Sequence, residues 1–302
     1  MSETYVLILS WNQREQTLRC LESLRQCSGP QVRLVLIDNG SSDGTAETVR
    51  SRFPQVELVA LAANQGYCAG FNHGLRLALE RHAGAAVLLN NDAELDRKAL
   101  IELQAASGPE PAILGPKIFF RSHPDRLQSA GAKVVRCTGR VRHLGYRQLD
   151  LGQYDAPTRR DALSGCCLWI NQAALQRVGL LDEDYFAYFE DVEYCLRARG
   201  LGARVELVPR ARVWHEGSAS LGGESSPLRL YYSVRNHLRV LDQRLPLSRW
   251  GATARRSCVL GLSLAYLIGS SRIPKTAGCR ALLRGWRDYC HGVQGPLKAP
   301  LA

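Results

Sequence analysis

Short unbroken apolar runs alternate with helical periods through the first hundred residues. YVLILSWN (5–12) is an apolar run closed by polar side chains, the pattern of a buried parallel strand. QREQTLRCLESLRQC (13–27) changes to a helical period through Leu18, Leu21 and Leu24. VRLVLIDNGSSDGT (32–45) reads as a second strand entering a Gly/Ser/Asp loop, and 45–53 as a helix with Thr45 as N-cap. VELVALAAN (56–64) is a third strand, QGYCAGFNHGLRLALERH (65–82) a Gly-punctuated loop and helix, and AAVLLNNDAEL (85–95) a fourth strand. Strands alternating with helices of this length imply βαβ units and a mostly parallel sheet.

The pattern loosens after residue 96. A helix is expected at 97–106, a strand around 113–120, GCCLWI (165–170) as core, and a helix at 171–179 stopped by Gly179. A helix over 192–199 and a strand pair broken at Pro209 (204–217) follow; from 227 the chain is helical. In parallel sheets ligands bind beyond the carboxyl ends of the strands. Here those ends carry Ser10, Trp11 and Asn12; Asp38 and Asn39; Asn64; and Asn90, Asn91 and Asp92.

Charge changes the picture in one place. Of the formal +11, all belongs to residues 227–302, which hold eleven arginines and two lysines against Asp242 and Asp288. Such asymmetry points to an acidic partner for that segment, a membrane surface first among them. The longest apolar stretch, CVLGLSLAYLIG (258–269), is shorter than the ~20 residues of a bilayer span and is flanked by arginines, so an interfacial helix is expected. The stripe Tyr231, Val234, Leu238 and Leu241 reads as packing on the rest of the protein. Ten cysteines without a CxxC pair argue against a zinc cluster and read as reduced thiols in a cytoplasmic protein. No secretory signal is recognised, since Tyr5–Leu9 is too short and lacks a basic leader.

Neither a Gly-x-Gly-x-x-Gly nor a P-loop nor a Gly-x-Ser-x-Gly elbow is present, so chemistry must rest on carboxylates and amides. Asp38 can meet a nucleobase edge or form an Asx turn; Asp43 reads as a turn or cap residue. Asn90-Asn91-Asp92 suits a hard cation shared with phosphate and water, or a helix N-cap. His215 would join Asp92 if the fold brings them together. Asn64, Gly66, Gly70 and Asn72 form either a phosphate-facing helix start or a plain turn. In YFEDVEYCLRARGLG (188–202), Glu190 and Asp191 follow an aromatic run at a helix start, where capping competes with a general-base role. Glu193 pairs with Arg197 four residues on, on an expected solvated face; the cluster Asp182–Asp184 is left as loop and acceptor-side surface.

SWNQREQTLRCLESL, LVLIDNGSSDGTAE, NQGYCAGFNHGL, LLNNDAEL, VGLLDEDYFAYFEDVEYCLRARGLG and ARVWHEGSAS, in this order, resemble family 2 inverting glycosyltransferases of the GT-A fold, in their rhamnosyltransferase-like branch. The likeness runs over roughly residues 4–240, and RALLRGWRDYCHGVQG (280–295) resembles the end of that branch. It implies an α/β fold, a GT-A-type mostly parallel sheet flanked by helices with a basic helical C-terminal extension. The implied division is a catalytic domain over 1–226 (1–95 nucleotide-sugar half, 96–226 acceptor half) and a membrane-associated segment over 227–302.

The resemblance also implies roles. Asp38 would meet the base of a nucleoside-diphosphate sugar beside Ser10 and Asn12. Asn64, Gly66, Asn72 and Asn91 would border the donor. Asp92, with His215, would hold Mg2+ or Mn2+, Asn90 standing where the motif usually begins with a carboxylate. Asp191 would be the base and Glu190 its neighbour. The implied reaction moves a sugar, rhamnose from dTDP-rhamnose foremost, to a glycan or polyprenyl-diphosphate-linked acceptor at the cytoplasmic membrane face, and no nucleic acid is expected as partner. A catalytically silent nucleotide-sugar-binding or scaffold protein of the same fold is the alternative.

Overall fold

The computed structural model describes residues 3–27, 31–216 and 226–298. The elements run β1 (Thr4–Ser10), α1 (Arg14–Arg25), β2 (Val32–Asp38), α2 (Thr45–Arg52), β3 (Glu57–Ala60), α3 (Gly66–Glu80), β4 (Ala85–Asn90) and β5 (Ala93–Leu95). They continue α4 (Ala99–Ser107), β6 (Ala112–Phe120), β7 (His123–Ser129), β8 (Ala132–Val134), β9 (Val141–His143), β10 (Thr158–Arg159), β11 (Cys167–Asn171) and α5 (Gln172–Val178). α6 (Glu190–Gly200), β12 (Arg204–His215), α7 (Pro227–Arg244), α8 (Arg249–Gly269) and α9 (Lys275–Cys290) complete the described chain.

The main sheet has the order β10-β12-β6-β11-β4-β1-β2-β3, with β5 added to β12 and β7 to β6; β8 and β9 form a separate hairpin. β4, β1, β2 and β3 run parallel, as do β6 and β12, whereas β11 is antiparallel to both of its neighbours, β4 and β6. Successive residues of β1 serve two cores. Tyr5 and Leu7 pack with α3 and the later helices, and Val6 and Ile8 pack with α1 and α4. Burial on both faces is why the strand reads as a continuous apolar run rather than an alternating one. Register sets the functional edge: Ser10 lies beside Asp38, and Leu9 beside Asn90, so three polar strand ends meet.

Several local expectations change. Gly44, not Thr45, is the N-cap of α2; Asp43 instead accepts from Thr45 N at 3.1 Å and from Arg14 N at 2.9 Å. The glycines of 66–74 are helical rather than loop. A side chain at Gly70 or Gly74 would meet Leu9 at 2.5 Å or Leu7 at 2.9 Å, so they let α3 lie close on β1. Asp92 is no helix N-cap, because β5 follows it. α6 begins at Glu190, two residues earlier than expected. Residues 204–215 form one strand, whose pairing with β6 shifts register between Val208 and Arg212 and so accommodates Pro209.

Gly179 ends α5, as the sequence suggests, and Asn171 caps its start by accepting from Ala174 N. The stripe on α7 is buried: Tyr231, Val234, Leu238 and Leu241 are each within 1% of full burial. Among the described residues no helix is long and apolar enough to cross a membrane. All ten cysteines are free.

Candidate active site

An open cleft of about 1010 Å3 lies over the carboxyl ends of β1 and β4 and extends toward α7 and α8. Its floor carries Asn64, Asn91, Asp92 and His215, and its wall carries Gly165, Glu190 and Asp191. The wall is reached through the aromatic turn before α6. Tyr188 and Phe189 both take left-handed backbone conformations, with φ of 66° and 70°, which costs about 1–2 kcal/mol each for side chains of this size. α7 holds that turn in place. Asn236 Nδ2 donates to the carbonyls of Ala187 (2.8 Å) and Tyr188 (2.9 Å), His237 stacks on Phe189 at 4.3 Å, and Tyr232 stacks on Phe186 at 5.4 Å.

The turn delivers two carboxylates with different surroundings. Asp191 Oδ2 accepts from Gly165 N at 2.9 Å, and its Oδ1 accepts from its neighbour Val192 N at 2.8 Å, so the first turn of α6 supports its negative charge. Glu190 Oε2 is buried without a hydrogen-bond partner among the described residues. Burial, followed by the charge of Asp191, pushes Glu190 from the usual carboxylate range up to about 8. Burial thus favours the protonated form of Glu190, while Asp191 has two backbone N–H groups to accept from.

At the floor, β12 brings His215 Nε2 to 3.0 Å from Asp92 Oδ1. His215 Nδ1 faces Gln128 Oε1 at 2.7 Å, which places the ring proton on Nδ1. Nε2 is buried and makes no well-directed hydrogen bond, so its lone pair and a carboxylate oxygen face one another. Two acceptors so placed fit a shared cation, with phosphate oxygen and water as its remaining ligands. Among the described residues no group of three His, Cys, Asp or Glu side chains could hold a metal by itself.

Other expected residues sit elsewhere. Ser10 Oγ and Thr17 Oγ1 are 2.8 Å apart, and Asn91 Nδ2 donates to Thr17 Oγ1 at 2.9 Å, a buried network tying α1 to the strand ends. Asn12 Oδ1 accepts from Ser42 N, and Asp38 Oδ1 accepts from Ser41 N at 3.2 Å, three residues on rather than the two of an Asx turn. Asn72 faces the interior, accepting from Leu181 N and donating to Leu181 O and Glu183 Oε1. Ser10, Asn12, Asp38 and Asn72 thus shape the loops around the cleft without lining it. Gly66 does line it, but its missing side chain makes room for Phe186, which a Cβ would meet at 2.5 Å.

The pair Glu193–Arg197 forms as expected, but not on a solvated face. The Glu193 side chain is 1% exposed and also binds Arg244 of α7 at 2.6 Å. Asp184 pairs with Arg239 and Glu183 with Arg76, so the 182–184 cluster anchors its loop. Residues the sequence reading passed over include Tyr67, Gln128, His143, Gly165 and Arg229, all lining the cleft. Gly165 lay hidden in GCCLWI, read as core; a glycine just before a buried strand was its only mark. Of the motif ARVWHEGSAS, residues Gly217–Ser220 lie outside the described residues.

A mostly parallel sheet, open at its strand ends and flanked by nine helices among the described residues, is the architecture of a GT-A glycosyltransferase. The GT-A mannosyltransferase PcManGT of Pyrobaculum calidifontis, solved with GDP-Man and Mn2+, superposes with a TM-score of 0.58 at 15% identity, over 95% of this chain and 86% of that one. The chain belongs to glycosyltransferase family 2: the family model described as "Glycosyltransferase like family 2" matches residues 2–241. Its relatives include the dTDP-rhamnosyl transferase RfbF of Shigella flexneri, 23% identical over 97% of each chain. They also include the N-acetylglucosaminyl-diphospho-decaprenol L-rhamnosyltransferase of Mycobacterium tuberculosis, 29% identical over 79% of this chain and 86% of that protein.

Proposed function

We infer that the protein transfers a sugar, with inversion, from a nucleoside-diphosphate donor to a hydroxyl of a glycan or lipid-linked glycan in cell-surface polysaccharide synthesis. Rhamnose from dTDP-rhamnose is the leading donor, on the likeness to the two rhamnosyltransferases. The observation that carries the reading is the division of labour in the cleft. Asp191 accepts from two backbone N–H groups on the wall, while Asp92 and His215 on the floor face a common point.

Asp191 takes the proton of the acceptor hydroxyl. That oxygen forms a bond to the anomeric carbon on the face opposite the diphosphate, whose bond to that carbon breaks. The nucleoside diphosphate leaves with the electron pair and needs no protonating acid, unlike the leaving group in glycoside hydrolysis. Asp92 and His215 would hold Mg2+ or Mn2+, which when bound offsets charge on the leaving diphosphate. The Mn2+ of the mannosyltransferase supports that choice. Peripheral attachment at the cytoplasmic membrane face is supported by apolar side chains left exposed on α8, among them Trp250 and Ile268.

The test is release of nucleoside diphosphate and transfer of sugar from a panel of nucleotide sugars with Mn2+, for the wild type and Asp191→Asn. Equal turnover of the two proteins removes Asp191 from the role of base. Asn90 at the head of the metal motif, and the two-residue ligand set, favour the second reading of a donor-binding protein without turnover. Donor binding by calorimetry with no transfer to any acceptor would select it.

A further inference from the structure

The basic C-terminal segment spends most of its charge inside the molecule. Arg239 binds Asp184, Arg244 binds Glu193, Arg256 binds Asp242 at 2.7 Å, and Arg284 binds Asp288 at 2.9 Å. Arg255, 1% exposed, donates to the carbonyls of Leu241 and Leu245. Arg229 behaves otherwise. It stands in the first turn of α7 and lines the cleft, its guanidinium carbon 5.5 Å from the centroid of the Tyr188 ring. Arg142 of β9 and Arg140 just before it line the same cleft. Among the described residues none of these three guanidinium groups has a carboxylate within ion-pair reach.

Arg140 and Arg142 are exposed and Arg229 is half-buried, so their guanidinium groups are accessible to an anion, and their planar donor forks match phosphate oxygens. Beyond them the cleft wall turns apolar along α8, through Val259 and Leu262, and at Ile273 just before α9. The same helix leaves Leu264 45% and Ile268 67% exposed. The catalytic wall connects this region to the donor floor. Asn90 N donates to Cys166 O at 2.9 Å next to Gly165, while Tyr188 carries Arg229 two residues before Glu190.

We propose that Arg229, Arg142 and Arg140 form a second diphosphate site, distinct from the donor site. It binds the diphosphate of a lipid-linked acceptor whose apolar chain leaves the cleft along α8. The proposal rests on the sugar-transfer reading above and adds the residues that recognise the acceptor. An uncharged acceptor glycan would require neither the cations nor the apolar exit.

The test uses the full chain and farnesyl diphosphate as probe, titrated calorimetrically in EDTA so that no cation bridges the probe to Asp92. Wild type and Asp92→Asn should bind it equally. Arg142→Gln/Arg229→Gln should weaken it at least about tenfold, and Arg229→Gln alone by an intermediate factor, should the double variant fold poorly. Leu262→Ser should bring its affinity down toward that of inorganic pyrophosphate, which separates a lipid diphosphate from free diphosphate. Undiminished binding by the arginine variants, loss of binding in Asp92→Asn, or equal affinity of the two probes for wild type overturns the proposal. Titration with dTDP and Mn2+ tests the donor reading separately. It should bind wild type and arginine variants alike, and its failure on wild type sinks that reading while leaving the farnesyl diphosphate result standing.

Discussion

The backbone N–H of Gly165 donates to Asp191 Oδ2 at 2.9 Å, and the carbonyl of the same residue accepts from Tyr67 Oη at 2.6 Å. The peptide units at Gly165 therefore connect a tyrosine at the start of α3 to the carboxylate at the start of α6. A side chain at position 165 has no room, since its Cβ would come within 2.9 Å of Tyr67 Oη and 3.2 Å of Asp191 Cβ.

On the role proposed for Asp191, Tyr67 acts as a positioning residue. Tyr67→Phe should lower kcat about tenfold and Gly165→Ala about a hundredfold, each with the KM for the donor little changed, because misplacing a reacting group costs rate rather than donor binding. Steady-state kinetics decides the matter. A Tyr67→Phe enzyme whose KM rises while kcat holds would place the tyrosine at the donor instead.

Glu190 gives the fold a pH signature. Its pKa is raised by burial and by the charge of Asp191, so the folded state keeps a proton that the unfolded state releases above the usual range of about 4.3. The stabilising contribution is complete below that range and is lost as pH rises toward about 8. Glu190→Gln, which cannot ionise, should gain stability relative to the wild type across that window. Urea unfolding at intervals from acid to mildly alkaline pH reads the gap, and a gap independent of pH would show that Glu190 is already ionised.

Much of this was legible in the chain. The apolar runs located β1, β2 and β4, and the polar residues ending them converge as expected, because parallel pairing brings the carboxyl ends of the strands to one edge. Asp92 and His215, separated by more than a hundred residues, could be paired in sequence only on condition that the fold joins them or through the family resemblance; the fold brings Nε2 to 3.0 Å from Oδ1. What stayed hidden depended on long-range packing. Asn72 and Glu193 look like surface or pocket residues in sequence. They are interior because the 180s loop folds over α3 and α7 folds over α6, contacts that no local period encodes. Gly66 and Gly70 read in sequence as a phosphate-facing helix start or a plain turn; in the fold they and Gly74 allow close approach of Phe186, Leu9 and Leu7. The charge of the C-terminal segment suggested an outside partner, yet Arg239, Arg244 and Arg256 each neutralise an acid within the molecule.

The floor site predicts a role for an uncharged residue. Gln128 holds the Nδ1 side of His215 at 2.7 Å and thereby keeps Nε2 free to act as a ligand. Removing such a partner weakens metal affinity about 10- to 100-fold in comparable sites. Gln128→Leu should show that loss in Mn2+ binding measured by calorimetry, and Asp92→Asn should abolish binding. Activity is not needed to read either result. Unchanged Mn2+ affinity in Asp92→Asn would move the cation site elsewhere.

The contact of Glu193 with Arg197 and Arg244 separates two views of the C-terminal helices. In sequence the glutamate reads as half of an exposed i,i+4 pair, for which about 0.3–0.5 kcal/mol is typical. In the fold its side chain is 1% exposed, and it joins α6 to the end of α7, the helix whose Asn236 and His237 hold the turn before Glu190. Losing one member of a buried pair leaves charge uncompensated and costs about 3–5 kcal/mol. Glu193→Gln should therefore destabilise strongly, as it strands two guanidinium groups. Arg244→Met should cost less, because Arg197 still neutralises the glutamate, yet it should lower kcat by freeing α7 from the catalytic turn. Urea unfolding with parallel kinetics tests both. A loss below about 1 kcal/mol for Glu193→Gln would return the pair to the solvated surface and detach α7 from any part in positioning Asp191.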